Sequence, residues 1–188
     1  MPTPTPILAN VSHHADISPN ATQPRIHGLV PAGGVGLRAQ QPGTQVPKQY
    51  RVVNGQPMLS WAVQALLADT RVASVAVGVQ ADDPFAKGCL AEVANVRVLR
   101  SGGASRALTV LQTLEQSGFD RHDWILVHDA ARPGLPARNL SELIDTCLQQ
   151  QQGGLLAMPA ADTVKLANLD RLESGSNRLA QVQQTLPR

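Results

Sequence analysis

From residue 26 to residue 158 the chain alternates short, near-continuous apolar runs with longer segments of helical character, and few folds accept that order. The runs lie at 26–30, 72–79, 96–99, 124–128 and 155–158. They are rich in β-branched residues and show little polar alternation, which predicts strands buried on both faces and therefore a parallel sheet. Between them, 58–68, 84–94, 105–116 and 139–150 read as helices, with Gly88 weakening the second. In the last helix, Asn139 is the expected N-cap and Glu142 follows three residues later. The expectation is a doubly wound α/β domain with helices on both faces of the sheet. Ligands of such a domain sit beyond the carboxyl ends of the strands, where the winding reverses.

The flanks differ. Residues 1–25 hold five of the fourteen prolines and have no apolar periodicity. They lack the basic start and apolar middle of a signal peptide, so a disordered leader is expected. His13 and His14 could bind a metal, although an exposed polar pair in a tail is the plainer reading. Residues 162–188 are polar and short of core residues. They suit a projecting hairpin, with arms at 163–167 and 181–186 and a tip at 170–177. The plan is thus a leader (1–25), an α/β domain (26–161) and a β-arm (162–188).

Composition removes several functions. Aromatics make up 3% and the formal net charge is +2, which argues against stacked-base and phosphate-backbone binding, hence no nucleic-acid partner. The apolar runs fall far short of a membrane span. Cys89 and Cys147 lie in apolar helical patterns, which suits buried thiols in a reducing, cytoplasmic setting better than a disulfide or zinc site.

Four segments carry candidate chemistry. The first strand runs into Pro31-Ala32-Gly33-Gly34-Val35-Gly36, where glycines let backbone N–H groups approach an anion. Alone, this is also how an ordinary strand-to-loop turn reads, and it matches neither a Walker A loop nor G-x-G-x-x-G. Arg38 and Lys48 follow, a planar guanidinium and a flexible ammonium that together would suit a triphosphate. The second segment, 127–133 (VHDAARP), puts Asp129 at a strand's carboxyl end, where a carboxylate could hold Mg²⁺ or cap a helix. His128 beside it is a possible base or a packed strand-end residue. The third, 100–106 (RSGGASR), has two glycines able to approach a flat base, or simply to form a turn. The fourth, 162–165 (DTVK), offers a carboxylate, a hydroxyl and an ammonium, as a surface strand also would.

Taken together and in order, VPAGGVGLR, PKQY, SGGASR, VHDAARP, GGLLAMP and DTVK resemble the 2-C-methyl-D-erythritol 4-phosphate cytidylyltransferases over residues 26–188. The resemblance implies a Rossmann-like nucleotidyltransferase fold and transfer of CMP from CTP to methylerythritol phosphate, with release of pyrophosphate, in isoprenoid precursor synthesis. It implies that Arg38 and Lys48 neutralise the triphosphate and the transition state. Pro31, Ala32, Gly33, Gly34 and Gly36 would wrap the phosphates. Gly103 and Ala104 would read cytosine through the backbone. Thr109 would keep a hydroxyl where the family usually has serine, and Ala130 would pack by the ribose. Asp129 matches the Mg²⁺ ligand. Asp162, Thr163, Lys165 and Arg188 match arm residues that bind methylerythritol phosphate across a homodimer. A cytidylyltransferase of ribitol 5-phosphate shares these motifs and is the alternative, with an inactive nucleotide-binding fragment as a third reading.

The chain also departs from the family pattern. It has PAGG for the usual PAAG, a slightly long stretch between Arg38 and Pro47, and an extended arm tip. The family continues past the arm arginine with a further active-site lysine and sheet strands. The expectation is therefore a chain shortened at its C-terminus, with apolar sheet surface left exposed.

Overall fold

The computed structural model describes residues 5–8, 24–34, 46–167 and 182–186. In chain order its elements are β1 (Thr5–Leu8), β2 (Ile26–Pro31), β3 (Val52–Val53), β4 (Gln56–Pro57), α1 (Met58–Leu67), β5 (Val72–Gly78), α2 (Ala86–Cys89) and β6 (Val96–Leu99). Then come α3 (Arg106–Ser117), β7 (Trp124–Val127), α4 (Ala137–Gln150), β8 (Gly154–Ala157), β9 (Val164–Ala167) and β10 (Val182–Leu186). A 3-10 turn at Lys48–Tyr50 precedes β3.

Four strands form one sheet in the order β6-β5-β2-β7, every neighbouring pair parallel. The chain winds outward from β2 through β5 to β6, then returns to the other side of β2 for β7. The reversal lies between β2 and β7, so the ligand crevice belongs above that junction. This is the expected doubly wound α/β arrangement.

Residues of β5 alternate between two layers. Val75 and Val77, with Val79 just after the strand, enter the main core with Leu59, Val63 and Leu66 of α1. On the opposite face Gly78 meets Thr113, Ser101 and Thr109, which brings in α3. Helices therefore cover both faces. The α1 layer is aliphatic, whereas the α3 layer presents buried Thr109, Thr113 and Ser117. Ser101 Oγ and Thr113 Oγ1 lie 2.7 Å apart, so the buried hydroxyls satisfy one another.

Three local expectations needed correction. The helix expected over 84–94 shrinks to the single turn α2, since Gly88 weakens the segment and a turn follows at once. Asn139 does not cap α4: the helix starts earlier, with Pro136 at the N-cap, and Asn139 is buried inside its first turn. Proline there has no N–H to satisfy and its fixed φ suits the helix entry. The third concerns the leader. Thr5–Leu8 pairs antiparallel with Gly154–Ala157, so part of residues 1–25 is strand, and β8 joins β1 rather than the parallel four. The short extended segment Thr5-Pro6-Ile7-Leu8 meets a strand edge that no other described element pairs, and backbone pairing follows.

β9 and β10 form the antiparallel hairpin expected of the arm, while its expected tip lies outside the described residues. His13 and His14 also lie outside them. Cys147 is buried and Cys89 half-buried, both as free thiols, and burial pushes both thiols up. Among the described residues, no helix is long and apolar enough to cross a membrane.

Candidate active site

Parallel pairing brings the carboxyl ends of the strands into register, Pro31 opposite Gly78 and Gly78 opposite Leu99. The loops leaving these ends line one cavity of about 740 Å³. The turn after β2 supplies Pro31 to Gly34, the segment after β6 supplies Gly103 to Arg106, and the segment after β7 supplies Asp129 to Arg132. Lys48, Gln49, Gln80 and Thr109 complete the wall.

The turn after β2 is held from several sides. The Ala32 N–H donates to Gly78 O at 2.7 Å. Gln49 Nε2 donates to Ala32 O at 3.0 Å and to Gly34 O at 3.1 Å. Gln80 Nε2 donates to Gly33 O. A Cβ on Gly33 would lie 2.8 Å from the Gly102 Cα, backbone against backbone, so this position requires glycine.

Lys48 is exposed at the cavity wall, on a turn whose other side is anchored. Tyr50 is buried, its hydroxyl donates to Asp83 Oδ2 at 2.5 Å, and its ring lies 5.1 Å from that of Phe85. Burial, with the Asp83 contact, pushes the phenol well above its ordinary value, so Tyr50 stays neutral.

The loop after β6 is equally constrained. Gly102 N–H donates to Val79 O at 2.7 Å, and Gly103 N–H donates to Thr109 Oγ1 at 3.0 Å. Ser105 caps α3 by accepting from Leu108 N–H at 3.1 Å. Thr109 Oγ1 itself donates to Ser105 O at 3.0 Å. The Thr109 hydroxyl thus holds the glycine loop in place.

Asp129 is the carboxylate of the cavity. Its Oδ1 accepts from Arg106 Nε at 2.9 Å, and its Oδ2 lies 2.9 Å from Arg132 Nε. Among the described residues there is no cluster of three or more His, Cys, Asp or Glu side chains able to hold a metal. An all-protein metal cage is thus absent there. One carboxylate does fit a hard ion that keeps waters and shares phosphate oxygens, as Mg²⁺ does, once an arginine is displaced. Lys48, Arg106 and Arg132 set three cations against the one carboxylate, so the wall favours a polyanion.

The structure therefore brings together Pro31, Ala32, Gly33, Gly34, Lys48, Gly103, Ala104, Thr109, Asp129 and Ala130. Gly36, Arg38 and Arg188 lie outside the described residues. Asp162, Thr163 and Lys165 are exposed on and beside β9 and do not line this cavity. The Asp162 carboxylate accepts from Thr163 N–H at 2.7 Å, and Lys165 Nζ donates to Thr185 Oγ1 at 2.9 Å, across the arm. His128 is a strand-end residue whose Nε2 lies 3.0 Å from Arg132 O. Six wall residues are not among those expected from the sequence: Gln49, Gln80, Ser105, Arg106, Ala131 and Arg132. Gln49, Arg106 and Arg132 sit inside motifs already quoted, so adjacency was a usable signal. Nothing in the sequence marked Gln80.

The sequence model of the 2-C-methyl-D-erythritol 4-phosphate cytidylyltransferase family matches residues 26–185. The enzyme of that name from Bordetella parapertussis is 55% identical over 138 residues, covering 73% of this chain and 61% of the relative. The Bordetella petrii enzyme is 52% identical over 149 residues, covering 76% of this chain and 66% of the relative. The chain thus spans less than two thirds of these relatives. A crystal structure of 4-diphosphocytidyl-2C-methyl-D-erythritol synthase superposes with a TM-score of 0.66 at 32% identity, over 89% of this chain and 70% of that one. A CMP:2-keto-3-deoxy-manno-octonic acid synthetase shares the fold, with a TM-score of 0.53 at 17% identity.

Proposed function

The chain belongs to the 2-C-methyl-D-erythritol 4-phosphate cytidylyltransferase family, and on that premise we propose that its cavity binds CTP and transfers CMP to methylerythritol phosphate. The observation that carries this reading is the convergence of a glycine turn, a lysine, a glycine base loop and a carboxylate at the winding reversal of one parallel sheet. A phosphate oxygen of the acceptor attacks the α-phosphorus of CTP and the new P–O bond forms. The bond from the α-phosphorus to the bridging oxygen breaks, and pyrophosphate leaves with those electrons. Donor, acceptor and leaving group are all anionic, so the protein's task is to position them and neutralise charge.

In this reading the N–H groups of Gly33 and Gly34 and the Lys48 ammonium face the triphosphate, with Pro31 and Ala32 shaping the turn, and Arg38 joins them as the second neutralising cation. Gly36 is assigned to the phosphates with them. Gly103 and Ala104 take the cytosine edge, Thr109 supports them, and Ala130 lies by the ribose. Asp129 would hold Mg²⁺, which when bound neutralises phosphate oxygens. Asp162, Thr163, Lys165 and Arg188 bind the acceptor from the arm of a second copy. Asp162, Thr163 and Lys165 are exposed and none of them lines the cavity, which supports an arm that works across a homodimer. The free thiols Cys89 and Cys147 support a reducing, cytoplasmic setting.

Pyrophosphate release from CTP with methylerythritol phosphate, and separately with ribitol 5-phosphate, tests the proposal. Faster turnover with ribitol phosphate would replace the acceptor, and binding of CTP without turnover would leave a nucleotide-binding chain only. Lys48→Ala should lower turnover by about 10²-fold or more, as removal of one transition-state charge contact does. Its thermal unfolding should stay unchanged, because the Lys48 side chain is exposed. Wild-type turnover in that variant would remove Lys48 from the mechanism.

A further inference from the structure

The turn after β2 has an unusual tether: three successive carbonyls, of Ala32, Gly33 and Gly34, each accept from a glutamine side chain. Two of the three residues are glycines, whose backbone is the most expensive to hold in one conformation. In a trans peptide the C=O of one residue and the N–H of the next point in opposite directions. Holding Ala32 O on Gln49 therefore aims the Gly33 N–H away from Gln49. Holding Gly33 O on Gln80 likewise aims the Gly34 N–H away from Gln80. Among the described residues neither N–H has an acceptor. Gln49 is 6% exposed, so its amide has little access to competing water.

From this geometry we infer that Gln49 and Gln80 are positioning residues, an amide clamp that fixes the directions of the Gly33 and Gly34 N–H groups ahead of polyphosphate binding. The inference rests on the triphosphate-binding reading of the cavity and adds residues to which that reading gives no role. The clamp acts before the ligand arrives, so the ligand does not have to order the turn. Gln80 is the more telling member. It follows β5, away in sequence from both the turn and the PKQY segment, and reaches the turn only because β2 and β5 pair in register. Its own backbone is fixed independently, with its carbonyl accepting from Arg100 Nη1 at 3.1 Å.

The test uses Gln80→Met and Gln49→Met, which keep side-chain length and remove the donor. Tripolyphosphate and CTP are the probes, and ¹⁵N relaxation of Gly33 and Gly34 is the second readout. In the wild type these amides should show order parameters near about 0.85, falling below about 0.6 in Gln80→Met. Tripolyphosphate affinity should fall about tenfold, the cost of one backbone residue left for the ligand to order. The melting temperature of Gln80→Met should stay close to wild type. Unchanged order parameters with weakened binding would mean that Gln80 touches the ligand directly, which overturns the clamp. Loosened amides with unchanged tripolyphosphate affinity overturn it too, as does a wild-type chain that binds no tripolyphosphate. A wild type that binds tripolyphosphate but not CTP, with the variants behaving as stated, sinks the cytidylyl reading and leaves the clamp standing.

Discussion

At the scale of single residues, the end of the sheet opposite the cavity depends on one histidine. His27 Nδ1 lies 2.9 Å from Ser74 Oγ, and Nε2 lies 3.3 Å from Asp123 Oδ2. Its ring stacks on Phe119 at 4.1 Å. The contacts suit a neutral ring that accepts from the serine and donates to the carboxylate. Burial lowers its pKa from the ordinary 6.5, and this outweighs the opposing pull of Asp123. The unfolded chain therefore binds the proton more readily, so stability falls as pH drops through and below about 6.5. Asp123 is held below its ordinary 3.8 despite burial, by the amides of Arg25 and Asp120, so it titrates in a lower window. Urea midpoints at about pH 7.5 and about pH 5 should separate more in the wild type than in His27→Gln, which cannot titrate. Equal separations would show that His27 contributes nothing to the pH dependence. Such a role was hard to read in advance. In the sequence His27 is one polar letter inside an apolar strand, and its partners come from β5 and from the residue before β7. Gln80 was illegible for the same reason, since the bond it makes spans two strands that only the folded sheet sets side by side. That Lys48 and Asp129 stand on the cavity wall was legible because each sits in a run, PKQY or VHDAARP, that the family resemblance picks out.

At the scale of elements, the sheet strands could be read closely because near-continuous β-branched runs have few other uses. Helix ends were less legible: a proline cap moved the start of α4 forward, and Gly88 left α2 one turn long. The α3 layer shows what pattern alone does not convey. Thr109, Thr113 and Ser117 recur at helical spacing and look like a polar face, yet each is buried. Thr109 and Thr113 fit because β5 offers Gly78 below them. A Cβ there would lie 2.1 Å from Thr113 Oγ1 and 2.8 Å from Ser101 Oγ. Thr113 Oγ1 cannot swing away without losing its donation to Thr109 O at 2.6 Å. Gly78→Ala should therefore cost about 2–3 kcal/mol, in the range of core overpacking. Thr113→Ala removes the clashing atom, so the double variant should be less destabilised than the sum of the two single changes. Additive losses in urea denaturation would refute this packing account.

For the whole molecule, the question is what happens at the strand edges. β7 ends the parallel sheet with Val127 43% exposed, and Trp124, Ile125 and Leu126 line a small apolar cavity with Ile144, Cys147 and Gly154. β8 has one described partner, β1. The two-stranded β1–β8 sheet is held at the α4 end of the domain, since α4 packs against both strands. A two-stranded ribbon is marginal alone, so its persistence depends on that support and on both strands being present. The leader therefore contributes backbone pairing to the domain, a part its proline-rich composition did not suggest, because pairing reflects the edge it meets as much as its own letters. Removing residues 1–9 would leave both edges of β8 unpaired among the described elements, with Leu155 already 53% exposed beside them. An exposed apolar edge is a template for another chain. The shortened chain should lose hydrogen-exchange protection across 154–157 while β2 and β5 keep theirs, because the central strands bond to neighbours the deletion does not touch. Light scattering should show stronger self-association at equal concentration. If protection at 154–157 survives the deletion, the β1–β8 pairing is not what holds that edge.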